Sequence, residues 1–523
     1  MCVALTACSI CGRARTSRLD LAELGRRLPR TAKAQLAIPS LRRLAEKLTR
    51  LEALKAASFA AQLQGFNDAS EYAAALATQI GVDLRSPAEM AKIGIDPDQG
   101  AGAALLSDGS VLVVLATQDA AKLRDAVASF ARNHWGAVTE GSASAGGQSW
   151  QTFARAGASR NQISLAVDRG IASIILDAQV PELAFFGPSP KTSRWLADDV
   201  SWVDAMKGLA DADAYLRISG DWQIGSLLLS TATLALDFNR QLVRLRGIAP
   251  LAQENTRALE KQQADALAGW LPDDAILMAR FAGQPQDLGL LLGPVWTAKL
   301  EDAFATAGID FRVEVLGNLR PGALASLSLA PTAVLSSVPV LDLRRTNPFR
   351  FVHLVAIGTV KNSAQANEVL RRIPGAAPKF GVQFSEKELA ARKVFVTSYA
   401  QGEGLDFGLI DDKVVVASPL KRLEDTLHQL SLAVPRQPSP FRSELAPYLQ
   451  RGALDAVLDV NRLSESVRSL PGTAWGVGGF AIKAAMLRWL AALDDVRALT
   501  FTAAVSRTPQ ALELELDLLL TGT

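Results

Sequence analysis

Cysteine and histidine are scarce in this chain, whose 523 residues include 3 of each. Cys2, Cys8 and Cys11 all lie within the first eleven positions, so no disulfide can staple the chain beyond them. Cys8 and Cys11 have CxxC spacing, but zinc requires four ligands and no second pair or nearby histidine completes a set. A thioredoxin-like redox site requires a strand before the motif and a helix after it; here Gly12-Arg13-Ala14-Arg15 follows. The expectation is no metal and no cofactor. An excess of charge of one sign is missing too, since 55 basic and 53 acidic residues leave +2, which argues against a nucleic-acid partner. One local imbalance stands out, 11 Lys or Arg against 3 Asp or Glu over residues 13–50, and it reads as a solvated basic helix face. No run reaches about 18 uninterrupted apolar residues, the length a membrane-crossing helix needs. What remains is a globular composition, 49% hydrophobic and 21% charged, which excludes disordered, collagenous and coiled-coil chains.

Comparing the two halves reveals a repeat. Leu28-Pro29-Arg30-Thr31-Ala32 is echoed 243 positions later by Leu271-Pro272-Asp273-Asp274-Ala275. Leu112-Val113-Val114-Leu115, with a helical pattern from Asp119, answers Leu354-Val355-Ala356-Ile357, with one from Asn362. The hairpin at Val167-Asp168-Arg169-Gly170-Ile171 answers Ile410-Asp411-Asp412-Lys413-Val414, and Ala214-Tyr215-Leu216-Arg217-Ile218 answers Ala456-Val457-Leu458-Asp459-Val460. The turn Gly94-Ile95-Asp96-Pro97 has a looser partner in Gly317-Asn318-Leu319-Arg320-Pro321. Four matches in one order at a nearly constant offset indicate a tandem duplication.

Within the first copy, alternation predicts strands at 32–38, 103–107, 110–117, 149–155 and 214–219, with hairpins at Asp108-Gly109, Asp168-Arg169-Gly170 and Asn239-Arg240. Helices are predicted after Pro39, where Leu41, Leu44, Leu48 and Leu51 share a face, at 70–80, and at 119–132. Hairpins make the sheets mainly antiparallel and helices must cover them, so the class is α+β in two tandem related modules. The opening β-α-β-β-α-β order also fits a ferredoxin-like arrangement. The expected organisation is a leader over 1–27, copy one over 28–248, a charged helical connector over 249–270 between Pro250 and Pro272, and copy two over 271–523.

Catalytic motifs fail one by one, so no catalytic residue is assigned. Ser418-Pro419-Leu420-Lys421 is an SxxK without a downstream Lys-Thr-Gly. Ser418 lies near the counterpart of Asp177, which points to a helix cap with Pro419 in the first helical position. Asp96-Pro97-Asp98-Gln99-Gly100 begins like a calcium loop but has Ser107 where the loop needs Glu. His134, His353 and His428 are far apart in sequence and read as structural. Copy two carries an insertion at 473–493, a glycine-rich turn followed by an apolar helix. Trp475, Phe480 and Trp489, with Lys483 and Arg488 snorkelling, could form an apolar lip there for a hydrophobic ligand or lipid headgroups.

Leu5-Thr6-Ala7-Cys8 resembles a bacterial lipobox, the site whose cysteine is diacylated. Residues 1–7 are too short for the charged and apolar parts of a signal peptide, so either the missing part lies before Met1 or the match is accidental, and the expectation is the former. With the duplication and the Gly94-Ile95-Asp96-Pro97 turn, the chain resembles bacterial lipoprotein families to which no activity is assigned. The resemblance implies a compartment rather than a mechanism: a cell-envelope protein held to the membrane through lipidated Cys8 and facing the periplasm or surface. The expected role is non-enzymatic binding or scaffolding, for a hydrophobic small molecule or an envelope protein. The competing expectation is a cytosolic enzyme with carboxylate acid and base groups that a sequence does not assemble.

Overall fold

Antiparallel strands joined by turns and overlaid by helices account for most of the described chain. The computed structural model describes residues 19–157, 162–177, 195–224, 227–251, 259–264, 267–288, 294–330, 352–389, 392–399, 402–432, 440–469, 479–507 and 510–521. The chain forms two compact units, unit 1 from Met1–Gly220 with Thr231–Phe238 and unit 2 from Asp221–Ser230 with Asn239–Thr523. The class is α+β, and every strand pairing recorded in either unit is antiparallel.

Unit 1 is built on β1 (Ala34–Ile38), β2 (Ala101–Leu105), β3 (Val111–Ala116), β4 (Val138–Ala145), β5 (Gln148–Arg155), β6 (Gln162–Asp168), β7 (Ile171–Leu176) and β8 (Ala214–Ile224); β9 is Leu227–Phe238. Its sheet runs β8-β1-β2-β3-β7-β6-β5-β4. Between β1 and β2 the chain makes α1's successors: α1 itself (Leu21–Gly25) precedes β1, then α2 (Leu41–Glu52), α3 (Lys55–Leu63), α4 (Ala69–Ile80) and α5 (Pro87–Lys92) follow, and α6 (Ala120–Trp135) follows β3. Asp68 caps α4 through the Glu71 N–H, and Asp119 caps α6 through those of Ala121 and Lys122. Because β1 and β2 are direct antiparallel neighbours across four helices, the ferredoxin-like order does not hold.

Unit 2 uses β10 (Leu242–Pro250), β11 (Leu277–Phe281), β12 (Ala323–Leu329), β13 (Val352–Thr359), β14 (Gln383–Leu389), β15 (Arg392–Tyr399), the two-residue β16 (Gly402–Glu403), β17 (Asp406–Ile410), β18 (Lys413–Ser418), β19 (Leu454–Asp459), β20 (Val496–Arg507) and β21 (Gln510–Leu520). Its sheet runs β10-β21-β20-β19-β11-β12-β13-β18-β17-β15-β14. From β19 to β14 the order matches that of unit 1 from β8 to β4, strand for strand. Asn362 caps the helix Ser363–Arg372, 243 positions after Asp119 caps α6. Isolated bridges Ile95↔Thr117 and Leu319↔Val360 tie the two glycine turns to the same point of their units.

Local chemistry sets the turns. Arg169 (φ 50°) and Gly170 (φ 81°) form the two-residue link between β6 and β7 with the left-handed backbone that a type I′ turn demands. Asp411 (φ 54°) opens the link between β17 and β18, 242 positions on, one fewer than the motif comparison implies. The Asp108-Gly109 turn is different: only Gly109 has positive φ, the loop spans residues 106–110, and the Asp108 carboxylate accepts from the Ser110 N–H and hydroxyl. Gly94 (φ 85°) leaves no room for a side chain, since a Cβ would collide with the Asp119 carbonyl oxygen at the start of α6. The described part of 249–270 contains a 3-10 turn, Ala268–Trp270, and no α-helix. Lys261 Nζ there donates to the carbonyls of Gln450 (2.6 Å) and Arg451 (3.3 Å), and Leu259 is buried, so the segment is fixed by contacts within unit 2.

Candidate functional site

Unit 1 has a cavity of about 740 Å³ beneath α6, within the range of small-molecule sites. Its floor is the sheet face formed by Val113 and Leu115 of β3, Ile163 of β6, and Ile174 and Leu176 of β7. These residues alternate with Leu112, Val114 and Ile175, which are buried on the opposite face. The roof is α6, whose Leu123, Val127 and Phe130 recur at three- and four-residue steps. Ile80, Val82 and Leu84, at the end of α4 and just past it, form one wall, and Ile93 and Ile95 another. Charge is confined to Lys92, Lys122, Asp125 and His134. His134 Nδ1–H donates to the Phe130 carbonyl (3.1 Å) and its ring lies 4.1 Å from that of Phe130, so this histidine is part of the helix end.

The wall formed by α4 is thinly attached. Ala69 is its one buried residue, while Tyr72, Leu76 and Ile80, spaced four apart, remain exposed. Positive-φ glycines flank it, Gly65 (φ 90°) and Gly81 (φ 84°). Few buried contacts and glycine ends mark an element of low local stability.

Unit 2 has a smaller cavity, about 300 Å³, on the matching sheet face. Ala356, Gly358 and Val416 line it at the places that Val113, Leu115 and Ile174 hold in unit 1. Beside it the space is filled by phenylalanines: Phe304 packs on Phe311 with centroids 5.0 Å apart and Phe384 on Phe407 at 6.2 Å, against buried Phe395, Val369 and Leu370. Phe407 stands four residues before its hairpin's first loop residue, as Leu165 does in unit 1.

Cys8 and Trp475, expected as the lipidated cysteine and part of the lip, lie outside the described residues. Phe480, Lys483, Arg488 and Trp489 fall on the helix Gly479–Ala492. Phe480 is 77% and Trp489 57% exposed, but nine residues at 3.6 per turn set them on opposite sides, about 180° apart. Met486, Leu487 and Leu490 form the inward side against Val467 and Ala330, and Lys483 Nζ donates to the Arg468 carbonyl (3.2 Å).

The SxxK residues do not meet as a catalytic pair. Ser418 is fully buried at the end of β18, and Lys421 Nζ is engaged by Glu424 and Asp425, both at 3.1 Å. The helix cap is Pro419, with no side-chain bond, rather than Ser418; Asp177 is exposed with φ 66°. Ser328, His353 and Asp274 do converge, but in the wrong order for nucleophilic catalysis. Ser328 Oγ donates to Asp274 (3.3 Å), Arg422 grips the same carboxylate, and His353 Nδ1 has no partner. Burial, then Arg422, push the His353 imidazole below its ordinary range against the opposing pull of Asp274. Glu515 and Asp517 form a carboxylate pair, in which Arg244 donates twice to Asp517 (2.8 and 2.9 Å) and Arg451 bridges both acids. Burial, then the Asp517 charge, raise the Glu515 carboxyl. Asp517 is fully buried, so the cluster reads as a structural latch across β10 and β21. Among the described residues no group of three or more His, Cys, Asp or Glu could hold a metal ion, and no helix is long and apolar enough to cross a membrane.

No protein-family model and no curated protein matches the sequence. Solved structures of TP0453, in crystal forms I, III and IV, align with 44 to 46% of this chain and 79 to 83% of their own at 9 to 11% identity, with a TM-score of 0.24 in each case. A similarity at that level carries no inference about this chain.

Proposed function

We propose that the protein is a non-enzymatic, lipid-anchored cell-envelope protein of two duplicated modules, and that unit 1 holds a hydrophobic small molecule. The observation that carries the ligand reading is the unit 1 cavity: about 740 Å³, a size suited to a whole small ligand, with an apolar floor and roof. The matching strand order of the two units supports the duplication. Anchoring rests on the lipobox-like Leu5-Thr6-Ala7-Cys8 alone.

Two experiments test the two halves. Organic extraction of the purified chain followed by mass spectrometry should release an apolar compound near one equivalent per chain, and Val113→Trp, which fills the floor, should release none. A compound retained at the same level by that variant counts against the cavity. For the anchor, the Cys8 peptide from an envelope fraction should carry acyl chains, and an unmodified thiol there would refute lipidation.

A further inference from the structure

The cavity is lined mainly by apolar side chains, and its two lysines stand together. Resting on the reading that unit 1 holds a hydrophobic molecule, we infer that its ligand is a single-chain anionic amphiphile, with the carboxylate or similar anionic group at Lys92 and Lys122 and the tail running under α6. Both lysines belong to one end. Lys122 sits in the first turn of α6, Lys92 ends α5, and the Gly94 turn joins the two places: a Cβ built on Gly94 would stand 3.2 Å from the Lys122 Cβ. The α6 amino terminus adds its partial positive charge at the same end. From Lys122 to Asn133, the lining of α6 extends for about 17 Å at 1.5 Å per residue, a length that accepts a medium acyl chain. Val113, Leu123, Val127 and Ile174 border that course.

Neither lysine is locked away from a ligand. Lys92 pairs with Glu89 (2.5 Å) and Lys122 with Asp119 (3.5 Å), both between exposed side chains, and such pairs are weak enough to exchange partners. The acid among the lining residues, Asp125, stands one turn along α6 from Lys122, and its contact with Arg124 (3.3 Å) is likewise between exposed side chains. An anionic head therefore meets two lining cations against one lining acid at this end.

Titrating the full chain with dodecanoate and with dodecanol, in the wild type and in a Lys92→Ala/Lys122→Ala variant, separates this inference from the reading beneath it. The wild type should bind both. The double variant should bind dodecanoate about tenfold more weakly, the size of two exposed charge contacts, and dodecanol within twofold of wild type. Added salt should narrow the difference for dodecanoate alone. If both ligands bind and the double variant treats them alike, the anionic head is wrong and the cavity reading survives. If neither ligand binds the wild type, the cavity reading falls, and the inference with it.

Discussion

The two units share a strand order and differ in what lies over the same sheet face. In unit 1 that face is roofed by α6 and flanked by four helices inserted between β1 and β2, and it encloses about 740 Å³. In unit 2 the insertion between β11 and β12 is shorter, with a helix at Pro294–Ala305 and a π-helix at Phe311–Leu316, and phenylalanines pack the space beside a cavity of about 300 Å³. The same scaffold thus supports a packed core when large rings fill it and a container when valine, leucine and a loosely held helix take their place.

Paired substitutions at matching positions sharpen that contrast. The largest expected effect is Phe395→Ala, which empties the closed cluster of unit 2 and should cost about 3 to 5 kcal/mol in denaturant unfolding. Its unit 1 counterpart by register, Gln151, is exposed, and Gln151→Ala should stay within about 0.5 kcal/mol. Equal costs would mean that the two faces are not packed differently.

Next in size are two buried aspartates, Asp213 just before β8 and Asp455 in β19, which the strand register does not place at equivalent positions. Asp213 is buried with Lys47 and Arg43 each at 2.5 Å and accepts the Phe238 N–H (3.0 Å). Asp213→Asn removes the carboxylate charge facing both cations, leaving Lys47 with Asp237 at 3.5 Å, and should destabilise by about 2 kcal/mol. Asp455 is buried with Arg280 no nearer than 3.9 Å, and one carboxylate oxygen has no hydrogen-bond partner. Burial raises its carboxyl above the usual range, only partly offset by the Gly452 N–H and the Thr502 hydroxyl. The unfolded chain then loses this proton first, so stability falls as pH rises from the unfolded value through the folded one. Asp455→Asn should therefore stabilise by about 1 kcal/mol at neutral pH, with the gain vanishing in acid. A loss at neutral pH would show that the Arg280 pair matters more than burial.

The smallest stability effect is expected where there is room. Val113→Trp should remain within about 1 kcal/mol of wild type, whereas Ala356→Trp, at the matching place in unit 2, should cost about 1 to 3 kcal/mol by overpacking. Thermal unfolding of the two variants side by side measures the difference in free space.

Much of the scaffold is legible in the sequence because it rests on local rules. The N-caps at Asp119 and Asn362, the hairpins at Arg169 and Asp411 and the alternation in β3 and β13 each depend on a few adjacent residues. β4 escapes prediction because Val138-Thr139-Glu140-Gly141-Ser142-Ala143 has almost no apolar side to alternate. The cavity escapes for a different reason. Ile80, Val113, Leu123 and Ile174 come from four elements, each reads as ordinary core, and nothing local records that their side chains fail to meet. The sequence does carry one trace of it: α4 repeats the large residues Tyr72, Leu76 and Ile80 along one face, and the row beside them, Ala69, Ala73 and Ala77, offers only alanines to bury. In the segment 473–493 the aromatics lie near one another in sequence, but helical geometry sets Phe480 and Trp489 on opposite sides.

The central claim, that unit 1 is the container and unit 2 is not, is tested most directly by methyl-selective NMR of the full chain titrated with dodecanol. Saturable shifts at Val113, Leu123, Val127 and Ile174, with Val414 and Val416 of unit 2 unmoved, are the expected result. Shifts confined to Val414 and Val416, or none at any of these methyls, would contradict it.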